Sequence, residues 1–241
     1  MKCLSLFANV GIGETYFSDL GIDVVVANEF LEDRAEFYKL MHPTTNMICG
    51  DITDSSVFSK VIQESRKEGV NLIVATPPCQ GMSIAHAKRA SKNDPRTSLI
   101  KQVVRATKEL KPKYVLVENV PGMASEKTFI LDDKGEETNI LPYIKSQLGK
   151  EYEITHKVLN AAEHFTPHNR KRLITLISRK DCPKWTHPSP SENRTTVREA
   201  IGAFYTLESG QHSPVKWHSM KHKKHNKHHI KWMKHTPTGK S

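Results

Sequence analysis

Short apolar, β-branched runs alternating with helical patterns predict an α/β protein built on a doubly wound, mostly parallel sheet. Two further observations point the same way. The first strand candidate runs into a glycine-containing turn, as in a βαβ opening, and the unusual residues of the chain recur just after strand candidates, where such sheets bind ligands. At 241 residues there is room for one sizeable α/β domain and part of another.

The elements follow in order. Residues 3–8 and 23–28 (Asp23-Val24-Val25-Val26-Ala27-Asn28) suit buried strands, and the stretch between them has room for a helix started at glycine. A third strand ends before Gly50, and others are expected over 71–76, 113–118 and 172–178. Helical patterns cover 31–41, 55–68 and 98–110. After about residue 182 the composition changes: Pro183, Pro188, Pro190 and nearby serines read as a linker, and Val197 to Ala203 as a short helix. The expected division is a main domain over 1–185, then over 186–241 a linker and the basic, His-rich start of an incomplete second domain.

The net charge is +10, and its location matters more than its size. Residues 211–241 hold eight Lys and no Asp or Glu, leaving +2 for residues 1–210. Seven His, Trp217 and Trp232 lie in the same tail; it reads either as a phosphate-binding segment or as a solvated one. Cys3, Cys49, Cys79 and Cys182 form no Cys-x-x-Cys pair, so neither a zinc site nor a disulfide framework is suggested. No apolar run nears the roughly 18 residues that span a bilayer, and the first residues lead into a strand pattern without a signal-peptide cleavage motif. A cytoplasmic protein with no membrane partner is expected.

Phe7-Ala8-Asn9-Val10-Gly11-Ile12-Gly13-Glu14 forms the first βα turn, where glycine permits a tight turn and close approach of a ligand. Taken alone it equals an ordinary strand-to-helix turn. Glu29, at the end of the second strand, stands near the spacing at which an acid grips ribose hydroxyls. Gly50-Asp51-Ile52 adds a carboxylate able to accept from an adenine amino group. After the fourth strand comes Ala75-Thr76-Pro77-Pro78-Cys79-Gln80-Gly81, in which two prolines stiffen the chain before a cysteine. A packing reason for that thiol is not evident, which makes Cys79 a candidate nucleophile. The next strand ends in Val117-Glu118-Asn119-Val120, a carboxylate at the same end of the sheet. Arg170 and Arg172 stand two residues apart, on one face if extended.

In this order the segments resemble the cytosine-C5 methyltransferase family over roughly residues 3–180, with Asp94-Pro95-Arg96-Thr97-Ser98-Leu99 similar to a further family segment. The resemblance implies a Rossmann-like fold binding S-adenosylmethionine, with no metal, and a catalytic domain over 1–185. It implies that Phe7, Gly11, Gly13, Glu29, Asp51, Ile52 and Pro78 hold the cofactor, Glu29 at the ribose and Asp51 at the adenine. By the same resemblance Cys79 adds to cytosine C6, so that C5 can attack the methyl group. Glu118 stabilises charge towards N3, Arg172 pairs with Glu118 and holds O2, and Arg170 supports the site and helps lower the thiol pKa. The target base is flipped out of double-stranded DNA.

Asn9 stands where the family usually has Gly, and His168 where it has Gln; asparagine tolerates positive φ better than most residues. The family normally continues into a target-recognition domain and two further segments. A split enzyme, a trimmed product and a fragment cut for study would each explain their lack, and the expectation is an enzyme of bacterial or phage type, inactive without a second polypeptide. A tRNA cytosine methyltransferase and a non-catalytic DNA-binding remnant are the alternatives.

Overall fold

A computed structural model of the chain describes residues 1–78, 98–126, 128–204 and 226–235. Its frame is a seven-stranded sheet in the order β3-β2-β1-β4-β5-β9-β8, made of β1 (Lys2–Leu6), β2 (Asp23–Glu29), β3 (Asn46–Cys49), β4 (Leu72–Ala75), β5 (Tyr114–Asn119), β8 (Tyr152–Asn160) and β9 (Lys171–Arg179). The strands from β3 to β5 are parallel, while β9 runs antiparallel to β5 and β8 antiparallel to β9. The mostly parallel, doubly wound sheet expected from the sequence is therefore present. A two-stranded hairpin, β6 (Phe129–Leu131) and β7 (Glu137–Asn139), stands apart from it.

Alternation along β1 divides the core. Leu4 and Leu6 face one layer with α2 (Ser55–Glu68), α3 (Ile100–Leu110) and α4 (Ile140–Leu148), whose Phe58, Val61, Val103 and Ile144 are buried. Each such side chain contributes roughly 1.5–3 kcal/mol of burial. Cys3 belongs to a second cluster with Leu72 and Val74, packed by Phe17 and Trp185, and α1 (Glu32–Met41) buries Ala35 and Tyr38 against Ala27. Helix α2 begins where Asp54 accepts hydrogen bonds from the Ser56 and Val57 amides and stops at Gly69, which takes φ 70°.

Helix α2 matches its expected limits, and α1 and α3 begin within two residues of theirs. The helix expected between β1 and β2 is replaced by two short 3₁₀ turns, Ile12–Glu14 and Ser18–Leu20. The reason is local: Glu14 and Phe17 turn inward, while Gly21, in the left-handed region at φ 67°, ends the second turn.

The segment read as a linker after residue 182 is held along the sheet. Trp185 stacks on Tyr114 with ring centroids 4.5 Å apart, its amide donates to Ser178 Oγ, and the Tyr114 hydroxyl donates to the Pro183 carbonyl. Farther on, the Ser191 amide donates to the Glu163 carbonyl at 2.7 Å. The short helix α5 (Val197–Ile201) follows, started by a reciprocal Thr196/Glu199 cap, and α6 covers Lys227–His235. Among the described residues no helix is long and apolar enough to cross a membrane.

Candidate active site

The chain leaves β1 towards β2 and β3 on one side and later returns to β4 on the other, so a crevice opens beyond the carboxyl ends of β1 and β4. A cavity of about 730 Å³ lies there, lined by Phe7, Asn9, Glu29, Phe30, Asp51, Ile52, Thr76 and Pro78 among others.

The loop after β1 shapes one wall. Phe7 and Asn9 take φ 60° and 52°, the left-handed region that favours glycine. Thr76 Oγ donates to the Phe7 carbonyl at 3.0 Å, tying the loop to the end of β4. Glu29 is 6% exposed, and its oxygens accept from the Asn9 amide at 2.9 Å and the Leu31 amide at 3.0 Å. The carboxylate thus holds the loop and the start of α1 as well as lining the crevice. Asn28 fixes the opposite wall by donating to the carbonyls of Ile48 and Gly50. Asp51 Oδ1 accepts from the Thr53 amide and hydroxyl, and its second oxygen has no partner among the described residues.

Gly11 and Gly13, expected beside the ligand, do not line the cavity. Gly11 is required for another reason: at φ 78° a Cβ would stand 2.4 Å from His42 Nε2 and 2.9 Å from Tyr38 Cε2. A Cβ at Gly13 would meet open space. Phe30, 64% exposed and on the cavity wall, escaped the sequence reading; an aromatic residue directly after Glu29 was the available signal.

Beyond β4 the chain reaches Pro77 and Pro78; Cys79 and positions 94–97 of the Asp94-to-Leu99 segment lie outside the described residues. Asn119, 2% exposed at the end of β5, donates from Nδ2 to the Pro77 carbonyl at 3.0 Å and accepts the Val120 amide on Oδ1. Beside it Glu118 Oε1 meets Arg172 Nε at 2.8 Å, with side chains 30% and 23% exposed. The antiparallel reversal of β9 makes this possible, since it brings the start of β9 to the ligand end of β5. Arg170 is exposed and makes no ion pair among the described residues, so one of the two arginines reaches Glu118.

A crevice with an exposed ring and two carboxylates, beside a carboxylate–guanidinium pair at the ligand end of a mostly parallel sheet, matches a methyltransferase of Rossmann-like fold. A candidate DNA modification methyltransferase from an Escherichia coli prophage has the same fold, with TM-score 0.69 and 21% identity over 88% of this chain and 57% of that one. The chain belongs to the C-5 cytosine-specific DNA methylase family, whose model matches residues 1–241. It is 42% identical over 241 residues to the type II methyltransferase M1.HgaI of Avibacterium volantium, covering 99% of this chain and 66% of the relative. It is also 31% identical over 212 residues to the type II methyltransferase M.AquIA of Picosynechococcus, covering 84% and 82%. Of other curated relatives it spans 47%, 55% and 56%.

Proposed function

We propose that this chain carries the reaction centre of an enzyme that methylates C5 of cytosine in DNA, with S-adenosylmethionine as donor, in a restriction-modification setting. The observation that carries the reading is the pairing of Arg172 on β9 with Glu118 on β5, the strand next to the one leading into Pro77-Pro78-Cys79, with Asn119 tying β5 to Pro77.

The residues of the crevice fit an adenine nucleoside. Phe30 offers a ring face, Glu29 an acceptor for ribose hydroxyls, and Asp51 a free oxygen for an amino group. When bound there, S-adenosylmethionine supplies an electrophilic methyl group. Cytosine C5 is a weak nucleophile, and addition of the Cys79 thiolate to C6 makes it an enamine carbon. Glu118 stabilises the charge that builds towards N3, Arg172 holds Glu118 and the O2 edge, and Arg170 favours the thiolate. The enamine carbon would take the methyl group, the donor leaving as a neutral thioether, and loss of the C5 proton to a base then expels the Cys79 thiolate and restores the ring. Flipping the base from duplex DNA costs a few kcal/mol, offset by pocket contacts.

We also propose that full activity draws on sequence outside these 241 residues, because M1.HgaI and two other curated relatives carry a third to about half of their length beyond the match, although M.AquIA carries less. Transfer of a tritiated methyl group tests both statements, with the chain assayed alone and together with a polypeptide covering the unmatched third of M1.HgaI. Duplex DNA and tRNA serve as competing acceptors. The expected result is DNA methylation by the mixture, lost in Cys79→Ser. Labelling of tRNA alone, or an active Cys79→Ser, overturns the mechanism, and full activity of the isolated chain overturns the need for a second polypeptide.

A further inference from the structure

The crevice loop rests on a buried carboxylate with no part in the reaction above. Glu14 closes the 3₁₀ turn Ile12–Glu14 and is 7% exposed. Its oxygens accept one hydrogen bond each, from the Ser5 hydroxyl on β1 and the Tyr38 hydroxyl on α1, and both donors are buried. The Tyr38 ring packs on His42 with centroids 4.6 Å apart, and His42 Nε2 lies 3.0 Å from the Gly11 carbonyl. A continuous set of contacts thus leaves the loop at Glu14, crosses to the helix and re-enters at Gly11.

Two features need explaining. Burying a carboxylate is costly, and no cation lies within ion-pair distance of Glu14 among the described residues. An apolar residue would be easier to bury, so packing alone does not account for it. The loop above is also strained, with Phe7 and Asn9 both at left-handed φ, a state that persists only where the surroundings over-determine it. Glu29 and Thr76 hold the loop on the crevice side. On the other side Glu14 supplies two acceptors at a fixed span between β1 and α1. Burial, and next the Glu14 carboxylate, push the Tyr38 phenol pKa up, so that it stays a donor.

We infer that Glu14, acting with Tyr38, is a positioning residue for the cofactor crevice, holding the backbone of residues 7–13 in its strained form without touching ligand or reacting atoms. The inference rests on reading the crevice as a site for S-adenosylmethionine.

Calorimetric titration of the full chain with S-adenosylmethionine and S-adenosylhomocysteine tests it. Glu14→Gln keeps the size but turns one acceptor into a donor. It should weaken both compounds equally, by about tenfold, in a protein whose thermal unfolding stays well above the titration temperature. Tyr38→Phe, outside the cavity wall, should weaken both by about threefold, and the double variant should bind no worse than Glu14→Gln alone. Should Glu14→Gln not fold, Tyr38→Phe carries the same test. Unchanged affinity in the folded variants overturns the inference, as does a loss confined to the cationic S-adenosylmethionine, which would assign Glu14 a charge role instead. A wild-type chain that binds neither compound overturns the reading of the crevice itself.

Discussion

Arg172 reaches Glu118 diagonally across two antiparallel strands: Glu118 stands opposite Ile174, and the guanidinium comes from two residues earlier on the same face. With both side chains partly exposed, the pair is worth about 0–1 kcal/mol to folding. In the proposed mechanism its position matters more to chemistry than to stability. Glu118→Gln and Arg172→Met should leave the melting temperature within about 4 °C of wild type, while methyl transfer in the complemented enzyme falls by about 100-fold or more. Calorimetry and a steady-state assay on the same preparations check both halves.

Asn119 gives a different signature. Its amide satisfies the buried Pro77 carbonyl two residues before Cys79. Asn119→Ala leaves that carbonyl unpaired, at about 1–3 kcal/mol, and frees the segment that leads to Cys79, the proposed nucleophile. The turnover rate should drop with KM for S-adenosylmethionine unchanged, and a rise in KM alone would refute the assignment.

The two glycines of the first turn should part company. Gly11→Ala meets His42 and Tyr38 and must hold positive φ, costing at least about 2 kcal/mol. Gly13→Ala finds open space and should stay within about 0.5 kcal/mol of wild type. Urea unfolding curves separate these outcomes.

Acid should loosen the segment from Pro183 to Arg194. His187 there has both ring nitrogens buried without a hydrogen bond. Burial, followed by Lys157 and His156, lowers its pKa. The unfolded chain therefore takes up the proton first. Stability from this group is intact above the ordinary imidazole value of about 6.5, falls as pH drops below it, and is fully lost under the lowered folded value. Melting temperatures of wild type should decline over that window, and His187→Phe should flatten the decline.

Much of this was legible in the sequence because strands buried on both faces write continuous apolar runs, as β1, β2, β4 and β5 do. The antiparallel β8 escaped because its burial is irregular, with exposed His156 and Lys157 in mid-strand. Glu118 and the arginines stood out by type and spacing, yet which arginine makes the ion pair depended on strand register, a long-range property. Glu14 and Tyr38 stayed hidden because a buried carboxylate and a surface one look identical in a sequence. The positive φ of Asn9 was the reverse case, since residue type alone already allowed it.

The segment from Pro183 to Arg194 starts beside Tyr114, at the end of β5 remote from the crevice, and reaches Glu163, just past the carboxyl end of β8. It carries the backbone from the back of the sheet to its front. The chain therefore comes to residue 195 on the side where Glu118 and Arg172 sit. A module joined at that point would be held at high effective concentration beside that ion pair.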